Sequence, residues 1–169
     1  MLILSKWIIK GIKIVTIIHK GRYVAEVKGD FVVFVIGMRV NKIFSFTKWI
    51  TVFKAMGPMI RELYQNPEIG FLHTEFHFSW RRVTLIQYWK SFDQLEAYAH
   101  GQTHLVAWKA FNKNIGNDGS VGVFHESYNI VNHGAEAIYN NMPTTGLGKA
   151  FSVASVTKET QSARERMNV

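Results

Sequence analysis

Two histidines stand out by their surroundings. His104 lies in an apolar helical stretch beside Leu105, Ala107 and Trp108, and His125 lies in VFHESY, which alternates like a strand. A neutral imidazole on an apolar helix can ligate a haem iron without help from cysteine. It can equally be a core or interface histidine bonded to a backbone carbonyl. A strand histidine aimed into an apolar pocket can take up or release a proton, or it can be tied to Glu126 or Tyr128 at a rim. The expectation is that both rings face one small-molecule pocket. Arg39 follows the apolar run 31–36, where it could pair with a propionate or a substrate carboxylate, or form a salt bridge within a dimer. Gln87 is a candidate pocket hydrogen-bonder. His73, Glu75 and His77 share one face of an alternating stretch opposite Leu72, Thr74, Phe76 and Phe78. Three such groups can ligate a metal, but this spacing usually marks a polar stripe facing solvent.

The elements that must carry these residues follow from periodicity. FVVFVI at 31–36 is a continuous apolar run, as in a strand buried on both faces. Residues 49–64 have helical apolar spacing, with Gly57-Pro58 expected to kink or divide the helix. Strands are expected at 69–78 and 83–89 around a turn at 79–82. Ser91 with Gln94 three residues on is a capping box for a helix to about residue 100. Gly101 breaks it, a second helix covers 103–114, and a strand covers 121–130. Residues 135–140 read as a short helix, and 158–169 as a polar, uncapped tail. Strand, helix, strand, strand, helix, strand is the split βαβ pattern of a ferredoxin-like α+β domain. Its strands one and three are apolar on both faces, so the sheet needs a second cover. A homodimer with sheets face to face, a dimeric α+β barrel, is the simplest solution.

Composition narrows the function. The 169 residues suffice for one domain with its own core, and the aromatic share of 14% points to a cavity lining or a subunit interface. With no cysteine there are no disulfides, thiolate metal sites or cysteine nucleophiles. This fits the expected cytoplasmic location. The net charge is +8, of which residues 1–30 supply +4. No zinc-finger spacing, stacking platform or basic recognition helix accompanies it, so nucleic acid is not the expected partner. Residues 1–22 read as a basic amphipathic helix, because Lys6, Lys10, Lys13 and Lys20 fall within an arc of roughly 80° at helical spacing. Such a helix packs on a protein surface, or lies on an anionic membrane as a peripheral contact through residues 1–20. The β-branched content leaves a strand open. The apolar runs are too short to cross a bilayer, and no small-residue cleavage site follows, so a secretory signal is not expected. The expected domains are 1–22, the barrel domain at 23–150 and a tail at 151–169.

These segments carry a resemblance. FVVFVIGMR (31–39), QYW (87–89), FDQLEAY (92–98), WKAFN (108–112), VGVFHESY (121–128) and IYNNMP (138–143) resemble a microbial family labelled monooxygenase-like, within the dimeric α+β barrel superfamily. More distantly, THLVAWKAFN, VFHESY and AIYNNMPTTGL are similar to the haem-binding half of aldoxime dehydratases. That similarity implies haem b as cofactor, with His104 as its axial ligand and Trp108 beside it. It implies His125 as the distal catalytic histidine, and Arg39 and Ser45 as the nearby candidates for the arginine and serine of the distal pocket. Aldoxime dehydratases contain two fused repeats where this chain has one. The expected function is a haem-dependent enzyme acting on a nonpolar small molecule, by oxygenation or by dehydration of a C=N–OH group. The alternatives are a cofactor-free monooxygenase of the same superfamily, with His125 as base, and a noncatalytic membrane-associated binding module.

Overall fold

The computed structural model describes residues 3–9, 12–115, 118–131 and 133–168. The side chains of 3–16 and of Phe53, Ala55, Gln102, Thr103, Ala107, Ala110, Asn114 and Ile115 lie outside the description. In chain order the elements are β1 (Ile3–Ile9), β2 (Ile12–Glu26), β3 (Phe31–Val40), α1 (Phe46–Gln65), β4 (Phe71–Ser79), β5 (Arg82–Trp89), α2 (Phe92–Ala99), α3 (Gln102–Ile115), β6 (Val121–Ile130), β7 (Ile138–Met142), α4 (Leu147–Ala150), β8 (Ser152–Ser155) and α5 (Ala163–Met167). They divide into two compact units, one of residues 1–30 with 130–169 and one of 31–129.

The second unit carries the sheet β4-β5-β3-β6. Its order and connections are those of the ferredoxin-like split βαβ fold, as the pattern of elements led us to expect. Strand pairing sets which residues share a face. Val32, Phe34, Ile36 and Met38 of β3 lie opposite Trp89, Gln87, Leu85 and Val83 of β5. All the helix residues of two hydrophobic clusters pack on this side. Met38, Val83, Leu85 and Val121 meet Val52, Trp49, Met56 and Phe111. Val32, Phe71 and Trp89 meet Leu63, Leu95 and Tyr98. The other side of β3 carries Val33, Val35 and Gly37, paired with Tyr88, Ile86 and Thr84. Gly37 is required there, since a Cβ would stand 2.5 Å from Phe124 Cε1 and 2.9 Å from the Val83 carbonyl oxygen.

Local signals account for the element ends. Ser91 Oγ accepts from the Gln94 amide at 3.2 Å, capping α2 as its sequence suggests. Helix α1 begins at Phe46, earlier than expected, and runs undivided through Pro58. The apolar stripe of Trp49, Val52, Met56, Ile60 and Leu63 packs it along the sheet on both sides of the proline. That packing outweighs the one backbone bond Pro58 removes. The loop before α1 is tied down firmly. Asn41 and Lys42 both donate backbone amides to the Ser120 carbonyl, at 2.9 and 3.1 Å. Asp118 caps this turn. The Ser120 hydroxyl and then Lys48 hold its carboxylate well below the usual range.

The first unit departs from expectation. The described residues of 1–22 do not form the basic helix: 3–9 and 12–26 are strands, paired antiparallel from Ile3↔Ile18 to Ile9↔Ile12. Eight of the residues from Ile8 to Ile18 are Ile, Val or Thr, whose stiff side chains favour a pleated surface over a helix. The helical lysine arc therefore does not exist; Lys10 and the side chains of Lys6 and Lys13 lie outside the described residues. The short helix expected at 135–140 is instead β7, which pairs with β2 through Arg22↔Asn140, Tyr23↔Tyr139 and Val24↔Ile138. The tail is not uncapped. β8 pairs with β2, and Thr157 and Ser162 each form a capping box. Consequently the expected boundaries at 22 and 150 fall within one unit that both ends of the chain build together. No helix among the described residues is long and apolar enough to cross a membrane.

Leu63 of α1 is 2% exposed and packs in one cluster with Trp89 and Leu95. Leu63→Ala is expected to destabilise the protein by about 3 kcal/mol, read as a lowered urea midpoint. A loss below about 1 kcal/mol would place little of the core there.

Candidate active site

On the helix side of the second unit's sheet, one row of side chains runs from buried Thr74 and Gln87 to exposed His125. Thr74 of β4 pairs with Gln87 of β5, Gln87 with Phe34 of β3, and the Phe34 ring lies 5.7 Å from the ring of His125 on β6. Alternation carries His125 to this side. Val121, four residues earlier, packs into the helix-facing cluster, whereas Phe124 points to the other face beneath the guanidinium of Arg82. Thr74 and Gln87 are polar yet only 4% and 7% exposed. Gln87 Oε1 accepts from the Trp89 indole at 3.1 Å. Glu126 accepts from the Tyr128 hydroxyl at 2.5 Å, and alternation sets both on the face opposite His125.

On the same side of the sheet, three helix residues gather around Tyr98. Tyr98 of α2 lies 5.6 Å from Trp89 and 5.4 Å from His104, ring to ring. Its buried hydroxyl, one carboxylate oxygen of Glu62 on α1 and the Thr74 hydroxyl have no hydrogen-bond partner among the described residues. Each such group carries a desolvation cost that a bound polar molecule would relieve. Burial, and then the Glu62 charge, push the Tyr98 phenol up to about 12. His104 Nδ1 lies 3.0 Å from the Ala99 carbonyl oxygen. That oxygen can only accept, so Nδ1 is the donor, and Nε2 is the ring nitrogen left for another partner.

The expected site residues thus fall into two groups. His104 and His125 abut one aromatic cluster, His104 on Tyr98 and His125 on Phe34. Arg39 is exposed on the opposite face of the sheet, paired with Arg82. Ser45 holds the N-cap position of α1 without a side-chain cap bond, in the loop at the β3 exit. Trp108 is 42% exposed and stacks on Phe111 at 5.1 Å. His73 is held by Tyr64 at 3.0 Å and Glu75 at 3.1 Å, and no cluster of three metal-ligating side chains exists among the described residues. Reasoning from sequence missed Tyr98, Glu62 and Thr74. Only Thr74, a polar residue within an apolar stripe, gave a signal.

Removing the Tyr98 hydroxyl tests whether it stands alone. The phenol is raised from 10 to about 12, so folded and unfolded chains are both protonated below pH 10. Between pH 10 and about 12 the unfolded chain loses its proton first, and stability falls. Tyr98→Phe is expected to fold with unchanged or slightly higher stability at neutral pH and to lose less between pH 10 and 12. Denaturant midpoints across that range check both.

Comparison with known proteins agrees with this architecture. The family model described as monooxygenase af470-like matches residues 31–147. Aldoxime dehydratase OxdRE, solved with butyraldoxime, superposes with a TM-score of 0.56 at 18% identity, over 73% of this chain and 38% of that one. SnoaB, a cofactor-independent oxygenase from Streptomyces nogalater, superposes with a TM-score of 0.44 at 14% identity, over 59% of this chain and 91% of that one. No curated protein sequence matches. The match to the family model spans the whole ferredoxin-like unit and more than half of the sequence, and the chain belongs to the monooxygenase af470-like family.

Proposed function

We propose that the chain is a monooxygenase that needs no resident cofactor, acting on a small, electron-rich aromatic molecule held between the helices and the sheet of residues 31–129. The row of Thr74, Gln87, Phe34 and His125, with the unpartnered Tyr98 hydroxyl on the same side of the sheet, carries this reading. Dioxygen reacts directly only with a substrate that can itself give up electrons, which calls for removal of an acidic C–H or O–H proton. The His125 imidazole accepts that proton. Tyr98, Gln87 and Thr74 offer hydrogen bonds to the substrate's oxygens, and Phe34 supplies an aromatic face. For an activated methylene the balance is R2CH2 + O2 → R2CO + H2O. The carbanion adds dioxygen to form a C–O bond, the peroxide O–O bond breaks, and the second oxygen leaves as water with the two protons.

One observation favours a haem-dependent version. His104, with Nδ1 fixed on Ala99 and Nε2 left for another partner, has the form of an axial ligand. Haem iron would supply a Lewis acid for a substrate nitrogen or for dioxygen. Arg39 does not fit as its propionate partner, because it stands on the other face of the sheet from the helices. Further support for haem would be a Soret band gained on adding haemin and lost in His104→Ala.

The subunits are proposed to pair as a homodimer through the face of Val33, Val35 and Ile86, on which no helix residue of the two clusters packs. Val35→Glu is expected to halve the mass seen by light scattering; an unchanged mass would place the seam elsewhere. For the chemistry, the oxygen uptake of metal-free protein with an anthrone is the test. His125→Ala is expected to lower kcat at least about a hundredfold with its fold intact. Equal turnover by wild type and variant, or none without added haem, would overturn the cofactor-free assignment.

A further inference from the structure

At one end of the second unit the chain displays aromatic side chains to solvent. Phe44 is 90% exposed, Trp80 89%, Phe78 69% and Phe46 53%. Single exposed apolar residues are ordinary, but a contiguous aromatic patch marks a contact surface. This one is contiguous. Phe44 lies 6.5 Å from Phe46, Phe46 lies 5.6 Å from Trp49, and Phe78 stacks on Phe76 at 6.2 Å. Trp49, Ile43, Phe78 and Trp80 share a groove of about 260 Å³, floored by Met38 and Val40.

The exposure does not come from slack chain. Trp80 sits in the tight turn between β4 and β5, where the neighbouring Arg81 donates to the Val40 carbonyl at 2.7 Å and to the Asn41 carbonyl. Phe44 sits in a loop whose start is bonded to Ser120 and to Gly119, and whose Ser45 amide donates to the Lys42 carbonyl at 3.1 Å. Both tips are therefore fixed to the same strand end, Val40–Asn41. Around them, residues 39–48 and 79–82 hold Arg39, Lys42, Lys48, Arg81 and Arg82 with no acidic residue. Lys48 is bonded to Asp118 at 3.0 Å, so the local balance stays positive.

We infer that this end of the unit docks on an anionic lipid bilayer, with Trp80 and Phe44 seated in the interface and the cations over the headgroups. The amphipathic indole of Trp favours the headgroup level of a bilayer, an apolar Phe ring gains by burial at the acyl boundary, and Lys and Arg beside them gain from the negative surface potential. A second copy of the chain is the weaker occupant, since protruding cationic tips would meet like charge across a twofold axis. The surface is separate from the His125 row and stands whether or not that row is catalytic. It also differs from residues 1–20, for which peripheral membrane contact was one of the expectations from sequence.

Vesicle sedimentation of the full chain tests the inference. The probes are phosphatidylcholine vesicles with and without phosphatidylglycerol, at low and raised salt. Binding is expected with the anionic lipid only, weakened by salt, and about tenfold weaker for the double variant Trp80→Ala with Phe44→Ala. Both side chains are almost fully exposed, so the variant's fold is expected to hold, as circular dichroism would confirm. Absence of binding overturns the inference, as does equal binding by the variant, which would shift attachment to another region such as residues 1–20. A variant that loses self-association while neither protein binds vesicles would assign the patch to a second copy.

Discussion

Side-chain alternation along the paired strands β3, β5 and β6 is the constraint on which the rest depends. A slip of one residue in any pairing would turn a whole strand over. The pairing is secured by large side chains that fit only one way. Trp89 is fully buried opposite Val32 under Leu63 and Leu95, and Gly37 leaves just the space that the Phe124 ring fills. With that register fixed, His125, Phe34, Gln87 and Thr74 come to the helix side together. Arg39, Arg82 and Phe124 go to the other.

Packing and polarity are in tension beneath the helices. Most of that layer is a close-packed apolar core, in which buried polar atoms are ordinarily bonded. Here the Tyr98 hydroxyl, a Glu62 oxygen and the Thr74 hydroxyl lack partners among the described residues. The fold tolerates the cost because the surrounding clusters supply ample burial. Local inconsistency of this kind is expected at functional sites rather than in structural cores.

The ferredoxin-like unit was largely legible in the sequence because its signals are local and mutually consistent. The 31–36 apolar run, the Ser91 cap and the alternation in VFHESY each carry one meaning. Residues 3–26 were ambiguous for a physical reason. Lysines three or four apart suit a helix face, while the Ile- and Val-rich filling suits a strand, and the partners that settle the matter, β7 and β8, lie more than a hundred residues away. The site was legible in part. Its histidines could be named, but the face on which Arg39 stands follows from pairing with β5, and the nearness of the Glu62 charge to Tyr98 follows from how α1 meets α2. Neither is written in local spacing.

The account holds that a substrate lies on the helix side of the sheet against His125. The direct test is the ring nitrogen resonances of the histidines during anaerobic titration with an anthrone that supports oxygen uptake. The account requires the His125 signals to move and those of His77, on the opposite face of β4, to stay. Movement of His77 with His125 unperturbed would contradict it.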